Sequence, residues 1–123
     1  MSGSPSITFI IIVLNVVISM TALYLFPQMI STGFLQPYRT VRMNTWYELV
    51  TSGFLHANLG HLAFNMITLF FFGTVMESTL GLVHFSLLYF TGLIISALPS
   101  LIKYKDNPEY ATLGASGAVE SVL

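Results

Sequence analysis

Two histidines and an asparagine stand together in the middle of the chain, where an apolar stretch begins. His61 and Asn65 are four residues apart, so on a helix they share one face. His56 comes five residues before His61, about 140° round the axis, and is expected to precede the helix. Two donors on one face could stabilise a developing oxyanion, or they could bind other helices and loop backbone, and spacing alone favours the second interpretation. A metal site is weaker still, because the histidines do not share a face and no carboxylate joins them.

A serine between glycines, Gly114-Ala115-Ser116-Gly117, is the second candidate. The glycines leave the Ser116 hydroxyl and the local amides accessible. If a helix begins here, its first free amides form an anion site beside Ser116. The alternative is a packing face of small residues in a membrane helix, which is common. Glu77, between Gly73 and Gly81, is interpreted as a carboxylate at the end of a helix with a structural role.

The elements that position these residues must lie in a membrane. Hydrophobic residues make up 54% of the chain and charged residues 7%, and the mean hydropathy is +0.79. A soluble domain carries about 25% charged residues, so the expected partner of this surface is the lipid bilayer. The net charge of -1 gives no basic footprint for nucleic acid. Cysteine is absent, which excludes disulfides, thiolate catalysis and cysteine-based metal sites.

A helix needs roughly 20 apolar residues to cross a bilayer, and the chain is predicted to be an all-α, polytopic membrane helical bundle. The predicted full spans are 7–26, 59–76 and 82–102, followed by the start of a fourth, 114–123. The first is expected to be a retained span, because no basic residue precedes it as in a signal peptide. Residues 77–81 are predicted to form a polar turn, and Pro99 is expected to kink or end the third span.

The interfacial loop, residues 27–53, separates the first two spans. It mixes charge with aromatic side chains such as Trp46 and Tyr47. Amphipathic rings prefer the membrane–water interface, whereas disordered linkers are poor in aromatics. The loop is therefore predicted to be folded and to lie at the interface.

Taken in order, these elements resemble the rhomboid family of intramembrane serine proteases. The match consists of the aromatic-rich loop, the His56-x4-His61-x3-Asn65 run, Gly73-x3-Glu77-x3-Gly81 and Gly114-Ala115-Ser116-Gly117. The resemblance covers nearly the whole chain and implies a core of six or seven helices with a serine–histidine dyad. Residues 1–123 would then form a single rhomboid-like membrane domain that needs no cofactor and no metal.

The resemblance also implies residue roles. Ser116 would be the nucleophile, and His61 and Asn65, with the Ser116 amide, would form the oxyanion hole. His56 would support the interfacial loop, Glu77 would brace the bundle at its other side, and Gly114 and Gly117 would give structural support to the serine. The implied function is a serine endopeptidase that cleaves peptide bonds in or near transmembrane segments of membrane-protein substrates.

Two departures from the family pattern stand out. Position 47 is Tyr where many members have Arg after the loop tryptophan, which loosens the match for the loop. The general-base histidine of the family lies on its sixth helix, and these residues reach only the start of a fourth span. His84 lies roughly 25 Å from the level of Ser116, so it cannot take the proton. The chain is therefore expected to be C-terminally incomplete and inactive on its own.

Two alternative functions are weighed against the protease. A non-catalytic rhomboid-like binder of transmembrane helices would have no need of the serine and the oxyanion residues. A transporter or channel fragment with His56 and His61 in a polar pathway leaves Gly114-Ala115-Ser116-Gly117 and the aromatic loop unexplained.

All four Lys and Arg lie in the loops at 27–53 and 103–112, which the positive-inside rule would place in the cytoplasm. The resemblance instead implies a bacterial inner-membrane protein with its active-site end facing away from the cytoplasm.

Overall fold

The computed structural model describes residues 6–112, and within them the chain is helical with one isolated β-bridge, Leu35 to Thr112. The elements are α1 (Ile7–Tyr24), α2 (Gln28–Gly33), α3 (Pro37–Met43), α4 (Glu48–Thr51), a 3-10 turn (Ser52–Phe54), α5 (Leu59–Thr68), a π-helical segment (Leu69–Gly73), α6 (Thr74–Leu80) and α7 (Leu82–Tyr104). The predicted all-α class is confirmed. The predicted fourth segment, 114–123, lies outside the described residues.

Among the residues that the structure describes, three helices are long and apolar enough to cross a membrane, as predicted: Ile7–Tyr24, Leu59–Leu80 and Leu82–Tyr104. The second span is continuous through α5, the π-helical segment and α6. It ends at Leu80, four residues beyond the predicted end at 76. The third ends at Tyr104, so Pro99 lies inside α7 and does not end it. Proline removes one backbone donor, and membrane helices tolerate this loss.

The predicted polar turn at 77–81 is shorter in the structure. The hydroxyls of Ser78 and Thr79 bond back to the Val75 carbonyl, and the helix continues to Leu80. The chain reverses at Gly81, whose φ of 86° a side-chain-bearing residue adopts only with strain. One glycine therefore makes the connection between the second and third spans.

The core joins all three spans. Its buried side chains are Ile11, Leu62, Met66, Leu69, Phe85, Tyr89 and Leu93. Most remaining apolar side chains of the spans point outward; Phe64 and Ile102, for example, are 70% and 71% exposed. Such a surface is stable in lipid, where every backbone polar group is satisfied inside its helix.

The interfacial loop is folded, as predicted, and most of it lies in three short helices, α2, α3 and α4. Pro37 begins α3 at a position where its missing N–H costs nothing. Asn44 ends α3 in the left-handed conformation, with φ 56°. These helices return the chain from the end of α1 to the start of α5. All of them therefore lie at one end of the bundle, which α7 reaches at Tyr104.

Candidate active site

His61 and Asn65 lie side by side in the first turns of α5. Asn58 caps this helix: its side-chain oxygen accepts a hydrogen bond from the His61 backbone N–H at 2.8 Å. His61 Nε2 and Asn65 Nδ2 are 3.3 Å apart. Asn65 is 4% exposed, and His61 is half-buried. The helix thus brings two side-chain nitrogens to one point near the loop end of the bundle.

His56 lies just before α5 and is fully buried. Its Nδ1 is 2.9 Å from Ser19 Oγ on α1, and the Ser19 hydroxyl also donates to the Phe54 carbonyl at 2.8 Å. The His56 and His61 rings meet edge to face, with their centroids 5.2 Å apart. Burial and, to a smaller extent, the proximity of His61 lower the pKa of His56 to about 4. His56 is therefore neutral at physiological pH.

Glu77 lies at the opposite end of the second span. It is sixteen residues beyond His61, which corresponds to about 24 Å along a helix. Its carboxylate accepts hydrogen bonds from Ser6 Oγ, from Thr8 Oγ1 and from the backbone N–H groups of Ile7 and Thr8, at 2.7 to 3.0 Å. A carboxylate at the first free N–H groups of a helix also complements the helix dipole. Glu77 thus ties α6 to the start of α1.

Glu48 organises the interfacial loop, although its role was not predicted from the sequence. It is fully buried and accepts hydrogen bonds from the Gln36 N–H, Arg39 Nε, Thr40 Oγ1 and Thr45 Oγ1. Burial alone would raise the pKa of Glu48, but these hydrogen bonds together hold it below its ordinary value. One charged side chain therefore holds α3, α4 and the turn between them together.

The loop also holds the segment that leads towards Ser116. Leu35 and Thr112 exchange two backbone hydrogen bonds of 2.9 Å. Gln36 Nε2 donates to the Pro108 carbonyl at 2.6 Å, and Arg42 pairs with Asp106 at 3.0 Å. Gly114, Ser116 and Gly117 lie outside the described residues, as does Glu120. Thr112, four residues before Ser116, is thus fixed at the same end of the bundle as His61.

Several of these residues were missed in the sequence. Asn58 could have been found, because asparagine directly before an apolar helical run is a common N-cap. Ser19 and Glu48 carry weaker signals, since their partners lie 37 and 12 residues away in the chain. His84 is in the first turn of α7, beside Gly81 and far from His61. The structure therefore separates His84 from the site, as expected.

Comparison with known proteins agrees with this architecture. The Rhomboid domain family model matches residues 43–123, which is more than half of the chain. The YdcA protein of Bacillus subtilis is 37% identical over 75 residues, 60% of this chain and 36% of that protein. The rhomboid protease GluP of the same organism is 34% identical over 83 residues, 68% of this chain and 16% of that protein. RHOMBOID-like protein 4 of Arabidopsis thaliana is 36% identical over 95 residues, 74% of this chain and 22% of that protein.

The three apolar helices and these relatives define an integral membrane protein with a polytopic helical bundle. The chain belongs to the rhomboid family, an intramembrane protease-like family. The matched segment spans 16% to 36% of the length of the relatives named here. Those relatives come from bacteria and a plant, and others are mitochondrial or chloroplastic, so the family match alone does not define the membrane compartment.

Proposed function

We propose that this chain supplies the nucleophile and the oxyanion hole of an intramembrane serine endopeptidase. The main support is the position of the His61 and Asn65 side-chain nitrogens, which lie 3.3 Å apart at the end of the bundle where Thr112 is held. Donors fixed before the reaction are the largest single contribution to acyl-transfer catalysis. Membership of the rhomboid family supports the assignment of Ser116 as the group that they serve.

The reaction begins with attack of the Ser116 hydroxyl oxygen on the carbonyl carbon of a substrate peptide bond. A base takes the hydroxyl proton, and the carbonyl oxygen becomes an oxyanion that accepts hydrogen bonds from His61 and Asn65. The protonated base then gives its proton to the peptide nitrogen, and collapse of the tetrahedral intermediate breaks the C–N bond, so that the amine leaves and an acyl ester remains on Ser116. Water then hydrolyses the acyl ester and restores Ser116.

The general base is not assigned to the histidines of residues 6–112. His56 is buried and its Nδ1 is bound to Ser19, while His84 lies at the other end of the bundle. The family resemblance assigns the base to a histidine on a later helix. We therefore propose that residues 1–123 alone do not cleave substrate, and that activity belongs to the full-length protein.

The substrates are proposed to be transmembrane proteins cleaved in or near their membrane segments.

The site is proposed to face away from the cytoplasm, in the bacterial inner membrane. This orientation rests on the family resemblance, because the count of basic residues in the two loops predicts the opposite orientation.

The test is cleavage of a fluorescent transmembrane substrate by the full-length protein reconstituted in liposomes. Ser116→Ala is expected to abolish cleavage without changing expression or membrane insertion. Ser121→Ala removes the same hydroxyl five residues later and serves as the matched control, with activity near that of the wild type. Retained cleavage by Ser116→Ala would refute the assignment, and substrate binding without cleavage by the wild type would favour a non-catalytic binder.

A further inference from the structure

The buried face of α1 carries polar side chains, although α1 is an apolar membrane helix. Thr8, Asn15 and Ser19 on this face are each at most 1% exposed. Thr8 binds Glu77 at one end of the helix, and Ser19 contacts His56 towards the other. Polar side chains inside a membrane bundle are costly and usually have a function. Ser19 is the side chain through which α1 reaches the candidate active site.

The hydrogen bonds of Ser19 determine where the proton of His56 lies. A serine hydroxyl has one proton, and a carbonyl oxygen can only accept. Within residues 6–112, the Ser19 hydroxyl is the one hydrogen-bond donor to the Phe54 carbonyl, at 2.8 Å. Because that proton points to Phe54, the 2.9 Å contact with His56 requires Nδ1–H of the ring to donate to Ser19 Oγ.

We propose that Ser19 is a positioning residue, which fixes His56 as the Nδ1–H tautomer and through this ring sets the orientation of His61. The tautomer follows from the hydrogen bonds alone. Only the kinetic consequence rests on the proposed function, in which His61 donates to the oxyanion.

The contact between the two rings transmits the effect. The rings of His56 and His61 cross at 67° with centroids 5.2 Å apart, so a rotation of one ring moves the other. His56 is neutral because burial lowers its pKa to about 4. Its Nε2 therefore keeps a lone pair while Nδ1 holds the proton. Without the Ser19 oxygen, the Nδ1–H group is buried without this acceptor, and the preference for the Nδ1–H tautomer is lost.

Nitrogen NMR of the histidine-labelled, full-length protein in micelles tests the tautomer directly. In the wild type we expect His56 to show a protonated Nδ1 and an unprotonated Nε2; the His56→Gln spectrum identifies its signals. Ser19→Ala is expected to replace this pattern with a mixture of tautomers, and Ser19→Thr to restore it. Ser86→Ala is the control, because the half-buried Ser86 hydroxyl bonds to the Leu82 carbonyl of its own helix.

Kinetics of substrate cleavage test the positioning role. Ser19→Ala is expected to lower kcat roughly tenfold, as loss of an orienting hydrogen bond does at other sites, with KM changed less than twofold. Ser19→Thr should recover most of kcat, and Ser86→Ala should leave both constants unchanged.

Each outcome decides one part of the proposal. An Nε2–H tautomer for His56 in the wild type, or an unchanged spectrum in Ser19→Ala, overturns the assignment of the tautomer. A change in KM alone overturns the positioning role, as does equal activity of the Ala and Thr variants. A wild-type protein with no cleavage would refute the proposed function, whereas the NMR result would still decide the tautomer.

Discussion

Asn58 is the residue that starts α5, and it thereby sets the rotational position of His61 and Asn65. Its side chain accepts the backbone N–H of His61, so the helix begins at a defined residue. His61 then lies in the first turn, and Asn65 follows one turn later on the same face. The short distance between the two nitrogens is thus a local property of the sequence.

We predict that His61→Ala and Asn65→Ala each lower the turnover number more than they weaken substrate binding. Loss of one oxyanion donor costs about 2.7–4 kcal/mol in the barrier, or about 10²–10³ in rate. Steady-state cleavage in liposomes separates kcat from KM. Thr68→Ala is the control, because its hydroxyl bonds to the Phe64 carbonyl of the same helix. An effect confined to KM would instead favour a structural role for the pair.

Local periodicity was enough to predict that His61 and Asn65 share a face. It could not predict the contact between Ser19 and His56, because that contact joins two elements 37 residues apart. It also could not predict Glu48, whose partners are gathered by the fold of the interfacial loop. Pairs within one helical turn can be read from spacing, whereas pairs between elements depend on packing.

The interfacial loop is the element that depends most on one residue. Glu48 binds the Gln36 backbone, Arg39 and two threonine hydroxyls, and its carboxylate is fully buried. A buried carboxylate without partners would be costly. With these partners it joins α3 to α4, and α3 in turn contacts α7. The loop can therefore hold the segment that ends at Thr112.

We predict that Glu48→Gln lowers the free energy of unfolding by about 3 kcal/mol, because Arg39 then lacks its carboxylate partner. The pKa of Glu48 is lowered in the folded protein from an ordinary value of 4.5. Its contribution to stability is therefore fully present above about pH 4.5 and is lost as the pH falls through the lower, folded value. The free energy of unfolding, measured in detergent at several pH values between about pH 3 and pH 7, follows this loss.

Glu109→Gln is the matched control for the loop prediction, because Glu109 is an exposed carboxylate in the 103–112 loop. It should leave the stability near that of the wild type at every pH. The Glu48→Gln variant should show a weaker fall in stability below pH 4.5 than the wild type does. Equal stability of the two variants at neutral pH would contradict the role assigned to Glu48.

The second span shows which parts of an element the sequence could predict. Its apolar length predicted a membrane helix, and the structure has one from Leu59 to Leu80. The π-helical segment Leu69–Gly73 inside it was not predicted, because a π turn changes the number of residues per turn without changing composition. At its end, a Cβ at Gly73 would lie 2.9 Å from the Leu69 side chain and 3.0 Å from the Thr8 side chain, so these side chains would have to shift. Close approach to α1 at this point brings Glu77 to the start of α1.

The whole molecule is organised for lipid rather than for water. Within residues 6–112, the three spanning helices are each less than a third buried, and most of their outward side chains are apolar. Composition alone predicted this class, because too few charged residues exist to cover a soluble surface. The number of helices followed from length. The packing between them did not, since lipid-facing and core-facing apolar residues look alike in sequence.

The orientation of the protein in the membrane can be tested by labelling single cysteines at the two ends of the bundle. Glu109→Cys lies at the loop end, and Ser78→Cys lies beside Gly81 at the other end; both positions are exposed. In a cysteine-free background, we expect an impermeant maleimide added to intact cells to label Glu109→Cys. Ser78→Cys should be labelled only after the membrane is permeabilised. The reverse pattern would place the loops in the cytoplasm, as the positive-inside rule does.

Covalent labelling distinguishes an activated nucleophile at Ser116 from an ordinary serine. The full-length protein in detergent is treated with a serine-directed fluorophosphonate, and the modified residue is located by peptide mass spectrometry. We predict one adduct, on Ser116, and at least a tenfold slower labelling in Asn65→Ala, because the oxyanion donors also stabilise the attack on phosphorus. An adduct on another serine, or cleavage of substrate by a protein that never labels at Ser116, would contradict the assignment of Ser116 as the nucleophile.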